Sequence, residues 1–244
     1  MRLLFPLLLL WGFSAFAADP SNNLQRDGSF EVPSVKGRTL TDQGGNPAHL
    51  GGGSGWIAFN FRTTGTSGKV TGGLTDEVAH SGRQSLFIHF DHVDGAFQGA
   101  LLTSNFIPIV SGTQYDVGIW GRADSKAPFD PDGRSVYLKL EVDYFAKDAN
   151  ESVGQPSFAV QPFPGSKGHV PVFKPDVWNL FTVTFTPPPG AVFAQITWRW
   201  ETGSDPGETN GLMFFDDASL TGPAPANPNM TPEPVQQDSP APPQ

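Results

Sequence analysis

Glu141 and Asp143 stand two residues apart in the run EVDYF, so a strand places both carboxylates on one face. Hydrolysis of a glycosidic bond needs such a pair, one as acid and the other as nucleophile or base. A second acidic feature is Asp216-Asp217 in FFDDASL. Alternation sends one of these carboxylates to the Phe214 side and the other to the Phe215 side. A carboxylate turned inward is costly unless it is paired or bound to a cation. Glu31 is the candidate to meet Asp217, because the two ends of a domain commonly lie close together. An oxygen-rich site of that kind suits a structural Ca²⁺. The competing solution is a carboxylate that accepts backbone N–H bonds or pairs with Arg or Lys. A third group is aromatic. Trp120, Tyr137 and Phe87 share the outward faces of their strands with His89, Arg122, Glu141, Gln195 and Arg199. Flat rings beside hydrogen-bonding groups suit a sugar, whose C–H face stacks while its hydroxyls take the polar contacts. The competing reading is a second apolar layer, with a loop such as Ala146–Val177 lying across Trp120.

Strands must position all of these groups. In Gly112–Asp124, Tyr115, Val117, Ile119 and Gly121 alternate with Asp116, Gly118, Trp120 and Arg122, and the period of two predicts an interior strand with unlike faces. Arg134–Phe145 alternates most cleanly, with Val136, Leu138, Leu140, Val142 and Tyr144 inward. Gln84–Val93, Trp178–Thr186, Val192–Glu201 and Leu212–Leu220 repeat the pattern. Gly28–Val32, Trp56–Phe61, Lys69–Val78 and Phe97–Val110, the last broken by Pro108, are predicted as further strands. A short one is predicted around Phe158–Val160. No segment sustains a helical period. Many short strands with turn signals between them predict an all-β antiparallel sandwich of the jelly-roll type.

Composition narrows the function. The net charge is −9, and basic patches of the kind nucleic acid requires are not expected. There is no cysteine, which excludes thiol chemistry, Cys-ligated zinc and iron–sulfur clusters. His89 and His92 are three apart on one strand and face opposite sides, so they cannot chelate one ion. The GGGSG of the Pro33–Gly55 loop lacks the Lys-Ser/Thr ending and the strand–helix context of a phosphate loop. Residues 1–18 carry one basic residue, an apolar run and Ala-Phe-Ala, which predicts a cleaved secretory signal and a secreted, extracellular or periplasmic product. Residues 19–222 form the expected domain. Residues 223–244 turn to Pro, Ala, Asn and Gln, too poor in large apolar side chains to bury a core, and are expected to be a disordered or extended tail, with a role as a protein tether open to them. Asn150 and Asn229 begin sequons.

Two resemblances follow from these residues. Glu141-Val142-Asp143-Tyr144-Phe145 resembles the Glu-x-Asp-x-x-Glu signature of laminarinase-type jelly-roll hydrolases, but Ala146 stands where the second Glu belongs. That departure removes the general acid and favours a non-catalytic chain. The second resemblance is carried by order. Asn23-Leu24, Asp27-Gly28-Ser29-Phe30-Glu31, Gly55-Trp56, His80-Ser81-Gly82-Arg83-Gln84-Ser85-Leu86, Trp120-Gly121-Arg122-Ala123-Asp124, Trp178 and Phe215-Asp216-Asp217-Ala218-Ser219-Leu220 succeed one another over residues 23–222. The succession resembles carbohydrate-binding modules of families 4, 9, 16 and 22, within the galactose-binding-like β-sandwiches. The resemblance implies a ligand cleft on the concave face of one sheet and a structural Ca²⁺ held near Glu31 and Asp217. Strand parity then nominates Trp120, Arg122, Tyr137, Glu141, Arg199 and His89 for a polysaccharide or glycan. A structural or adhesive module that binds protein, and a hydrolase or lyase on the same fold, are the alternatives.

Overall fold

Alternation converts into two antiparallel sheets. The computed structural model describes residues 23–25, 28–31, 39–41, 56–62, 68–129, 133–147, 151–162, 175–227 and 231. The expected signal segment, both sequon asparagines and all of the Pro-rich tail except residues 223–227 and 231 lie outside the described residues.

The strands are β1 (Thr39–Thr41), β2 (Trp56–Arg62), β3 (Lys69–Thr75), β4 (Ser85–Val93), β5 (Gly99–Ser104), β6 (Ile107–Pro108), β7 (Tyr115–Ala123), β8 (Val136–Phe145), β9 (Ser157–Pro162), β10 (Asn179–Phe185), β11 (Phe193–Thr202) and β12 (Thr209–Thr221). The first sheet runs β1-β3-β4-β12-β7-β10 and the second β2-β5-β11-β8-β9, with β6 paired to β11. Consecutive strands repeatedly cross from one sheet to the other, as in a jelly roll. Among the described residues, no helix is long and apolar enough to cross a membrane.

The core fills the space between the sheets. β7 contributes Tyr115, Val117 and Ile119, β8 its expected inward set from Val136 to Tyr144, and β11 Ile196, Trp198 and Trp200, all buried. Burying each large apolar side chain contributes roughly 1.5–3 kcal/mol. Trp200 meets Phe215 across the sheets at 4.7 Å, and Phe185 lies 5.8 Å from both Tyr115 and Tyr144. Tyr115 also marks the domain boundary: its Oη accepts the Val110 N–H and donates to the Pro223 carbonyl, both at 2.8 Å.

Three expectations are corrected. Gly28–Glu31 is not a strand, because Phe30 has φ 57 and turns its ring into the core. This lead packs on β12 instead. Gly28 accepts from the Ala218 N–H, and a Cβ at Gly28 would lie 1.8 Å from the Ala218 carbonyl, so only glycine fits. Asn23 fastens the same place, donating to Ala218 O and accepting from Leu220 N. The third strand ends at Thr75, short of Val78. Finally, β12 does not send one carboxylate into the core. Its register shifts between Asp216 and Ser219, and Asp217 has φ 47. The extra bulge residue restores parity, so Phe215, Ala218 and Leu220 all reach the core.

Candidate functional site

The nominated residues fall on two opposite surfaces. His89 of β4 and Trp120 and Arg122 of β7 lie on the outer face of the first sheet. Tyr137 and Glu141 of β8 and Arg199 of β11 lie on the outer face of the second. A single cleft holding all six is therefore corrected: parity separates inside from outside, and the core lies between these two outsides.

The first outer face is covered around Trp120. The imidazole of His80 stacks on the indole at 4.1 Å and 17°, and the Trp178 ring meets His80 edge-on at 5.6 Å. Among the described residues, the cover over Trp120 is the His80–Gln84 turn; residues 148–150 and 163–174 of the Ala146–Val177 stretch lie outside the described residues. From that stretch, Asp176 Oδ1 accepts from Arg122 Nη2 at 2.7 Å and from the Ser125 N–H at 3.2 Å. The hydrogen bonds from Ser125 and Arg122 hold Asp176 down at about 2. Phe214, also on this side, is buried outside the main core. One face of Trp120 is taken by a protein ring, as expected of a second apolar layer.

Three carboxylates hold the turn in place. Asp216, 0% exposed, accepts the N–H groups of His80 at 2.7 Å and Ser81 at 3.1 Å with Oδ2, and that of Asp217 at 2.7 Å with Oδ1. Asp217 accepts from Ser81 Oγ and meets His80 Nδ1, each at 2.6 Å. Glu31 Oε1 accepts the N–H groups of Arg83 at 2.6 Å and Gln84 at 2.9 Å. Burial, reinforced by the Asp217 charge, pushes Asp216 up to about 7 against the pull of its three N–H donors. Glu31 and Asp217 therefore grip opposite ends of one turn. Among the described residues, no three His, Cys, Asp or Glu side chains gather to hold a metal ion. Both oxygens of Asp216 and of Asp217, and Oε1 of Glu31, have hydrogen-bond partners within the turn.

The second outer face is built differently. β8 and β11 pair in register from Phe193↔Phe145 to Thr202↔Val136, which sets Lys139 opposite Arg199 and Glu141 opposite Thr197. Diagonal ion pairs join Lys139 to Glu201 and Arg199 to Glu141, giving a ladder of alternating charge along both strands. Thr103 and Thr197 bond across β5 and β11 at 3.3 Å. Burial and the nearby Glu141 charge push Asp143 above the usual carboxylate range, with Arg199 opposing. Aromatic rings flank this ladder. Phe158 of β9, opposite Glu141, is 66% exposed. Lys139 Nζ lies 5.9 Å from the Tyr137 ring and 5.8 Å from the Phe97 ring. At the far end Phe106 packs on Phe145 and Phe193. Exposed rings beside fixed donors and acceptors can stack on a sugar and take its hydroxyls. The Glu141–Asp143 pair is present on this face, but Glu141 is engaged by Arg199.

Sequence reasoning missed Phe97 and Phe158 as members of this surface, while alternation already set Lys139 on the outward face of β8. Phe158 was legible as an outward residue of its short strand. Phe97 sits in a glycine-flanked turn, where alternation carries no information.

No protein-family model matches the chain, and no curated protein does. Solved structures do. The C-terminal family 22 carbohydrate-binding module of Clostridium thermocellum Xyn10B is similar at 14% identity over 88% of this chain and 99% of that one, with a TM-score of 0.41. A structure of carbohydrate-binding modules from the β-sandwich superfamily is 17% identical over 75% and 64%, with a TM-score of 0.44. The enzymatically active domain of bacteriophage CBA120 tailspike protein 4 is 16% identical over 69% of this chain, which spans only 19% of that longer one, with a TM-score of 0.42.

Proposed function

We propose that this chain is a secreted, non-catalytic carbohydrate-binding protein that takes a polysaccharide or glycan on the outer face of the second sheet. The observation that carries the reading is the ladder of Lys139, Glu141, Arg199 and Glu201, bordered by the half-buried ring of Tyr137 and the exposed ring of Phe158. The polar groups are held by partners on the neighbouring strand, so little side-chain freedom is lost when a ligand arrives. Trp120 and Arg122 support the fold in this reading, and His89 belongs to their side of the molecule. A flat apolar patch would suit a protein partner better than this charged ladder.

Affinity electrophoresis against soluble glucans, xylans and mannans tests the proposal. Retardation by at least one is expected, with Tyr137→Ala and Phe158→Ala weakening it about tenfold or more, on the scale of one lost ring contact. Trp120→Ala is expected to lower the melting temperature and leave the retardation of its folded fraction in place. Wild-type protein that no glycan retards would overturn the reading.

A structural Ca²⁺ at the Glu31–Asp217 turn is a separable proposal. Its support is the convergence of Glu31, Asp216 and Asp217 on one turn. If an ion is bound, chelator lowers the melting temperature and added Ca²⁺ restores it, because a native-state ligand stabilises by mass action. An unchanged melting temperature would end that proposal.

A further inference from the structure

Phe30 and Phe97 share an unusual backbone. Both occupy the left-handed region, at φ 57 and φ 56, where a bulky aromatic is strained by about 1–3 kcal/mol. Phe30 offsets this by core burial, at 1% exposure. Phe97 does not: it is 48% exposed. Folding alone gains little from setting this ring there.

The surroundings nevertheless enforce the conformation. The Phe97 N–H donates to the Thr202 carbonyl at 3.0 Å, and Gln98 N–H to Thr202 Oγ1 at 3.0 Å. Thr202, fully buried, donates its own N–H to Gln98 O at 2.8 Å and its hydroxyl to Gly95 O at 2.6 Å. Gln98 Nε2 closes the turn on Ala96 O at 2.9 Å. Behind it, the buried Arg134 guanidinium reaches three carbonyls, those of Asp94 at 2.5 Å, Gly203 at 3.0 Å and Gly207 at 3.1 Å. The ring so presented lies 5.8 Å from Lys139 Nζ, within cation–π range. It stands on the β5 side of the charged ladder, and Phe158 stands on the β9 side.

We infer that Phe97 is a preorganised stacking platform for one sugar ring of the bound glycan, with Lys139 as the hydroxyl-binding group beside it. The inference rests on the reading of the second outer face as the glycan site, and adds a contact on its β5 side. A ligand that meets both Phe97 and Phe158 must cross β11 and β8, three strand spacings, or about 14 Å. A glycan chain of several sugars fits that span and a single sugar does not.

The test combines affinity with stability. Phe97→Gly removes the ring and also relieves the left-handed strain. Its melting temperature is expected to match or exceed the parent's, by up to about 4 °C, while affinity for the retained glycan falls at least tenfold. Phe97→Trp is expected to keep affinity within about threefold. A long oligosaccharide is expected to bind at least tenfold tighter than the monosaccharide. Unchanged affinity in Phe97→Gly, with Tyr137→Ala and Phe158→Ala impaired, would overturn the platform and leave the glycan site standing. Loss of affinity together with a lowered melting temperature would also count against it, since a merely structural residue gives that result. Wild-type protein that binds no glycan overturns both.

Discussion

Asp216→Ala is expected to lower stability by about 3–5 kcal/mol and the melting temperature by roughly 10 °C or more. The carboxylate is fully buried and accepts three backbone N–H groups, from His80, Ser81 and Asp217. Each donor left without an acceptor costs about 1–3 kcal/mol, and relief of the repulsion from Asp217 offsets part of the sum. The turn that stacks His80 on Trp120 loosens with it. Asp216→Asn keeps the shape but turns an amide N–H toward a donor, so it falls between. Thermal unfolding of the three proteins measures the order. A loss below about 1 kcal/mol in Asp216→Ala would mean the turn is held elsewhere. The same group sets a pH dependence. Its carboxyl is pushed up to about 7, above the ordinary unfolded value near 4. Between those values the native chain keeps a proton that the unfolded chain has released. Stability in chelator therefore falls as pH rises from about 4 to 7, and Asp143, shifted the same way, adds to the slope. Asp216→Asn removes the Asp216 share of that slope and leaves the share of Asp143.

Arg134→Met is expected to cost about 3–5 kcal/mol for a different reason. A straight apolar side chain of similar length fills the space but leaves the carbonyls of Asp94, Gly203 and Gly207 without their donor. Those carbonyls belong to the turn before β5 and the turn between β11 and β12, so one guanidinium couples two segments distant in the chain. Arg134→Lys is expected to rescue little, because one ammonium cannot present donors along three fixed directions. Denaturant unfolding reads both variants. Full stability in Arg134→Lys would show that charge, rather than the planar fork, is what matters there.

Much of the fold was legible because a period of two is a local property. The outward half of β8, from Tyr137 to Phe145, and the inward half of β7 stand where alternation put them. What alternation cannot report is which sheet a strand joins. Trp120 and Tyr137 are both outward, yet they point away from each other across the whole sandwich. Strand pairing between residues far apart in sequence decides that, and no local pattern encodes it. Left-handed residues were a second blind spot. Phe30, Phe97 and Asp217 each break a run that reads as extended, and aromatic side chains give no warning of it. The Asp216-Asp217 pair did carry a signal, since a carboxylate aimed at the core demanded a remedy. The remedy was a bulge and a turn of N–H groups.

Amide chemical shifts of ¹⁵N-labelled protein, followed while a retained glycan is added, test the assignment of the binding face most directly. Perturbations are expected along β8 and β11, around Lys139, Glu141 and Arg199, and at Phe97 and Phe158. Perturbations confined to β7, β4 and the His80–Gln84 turn would contradict it and return the site to Trp120.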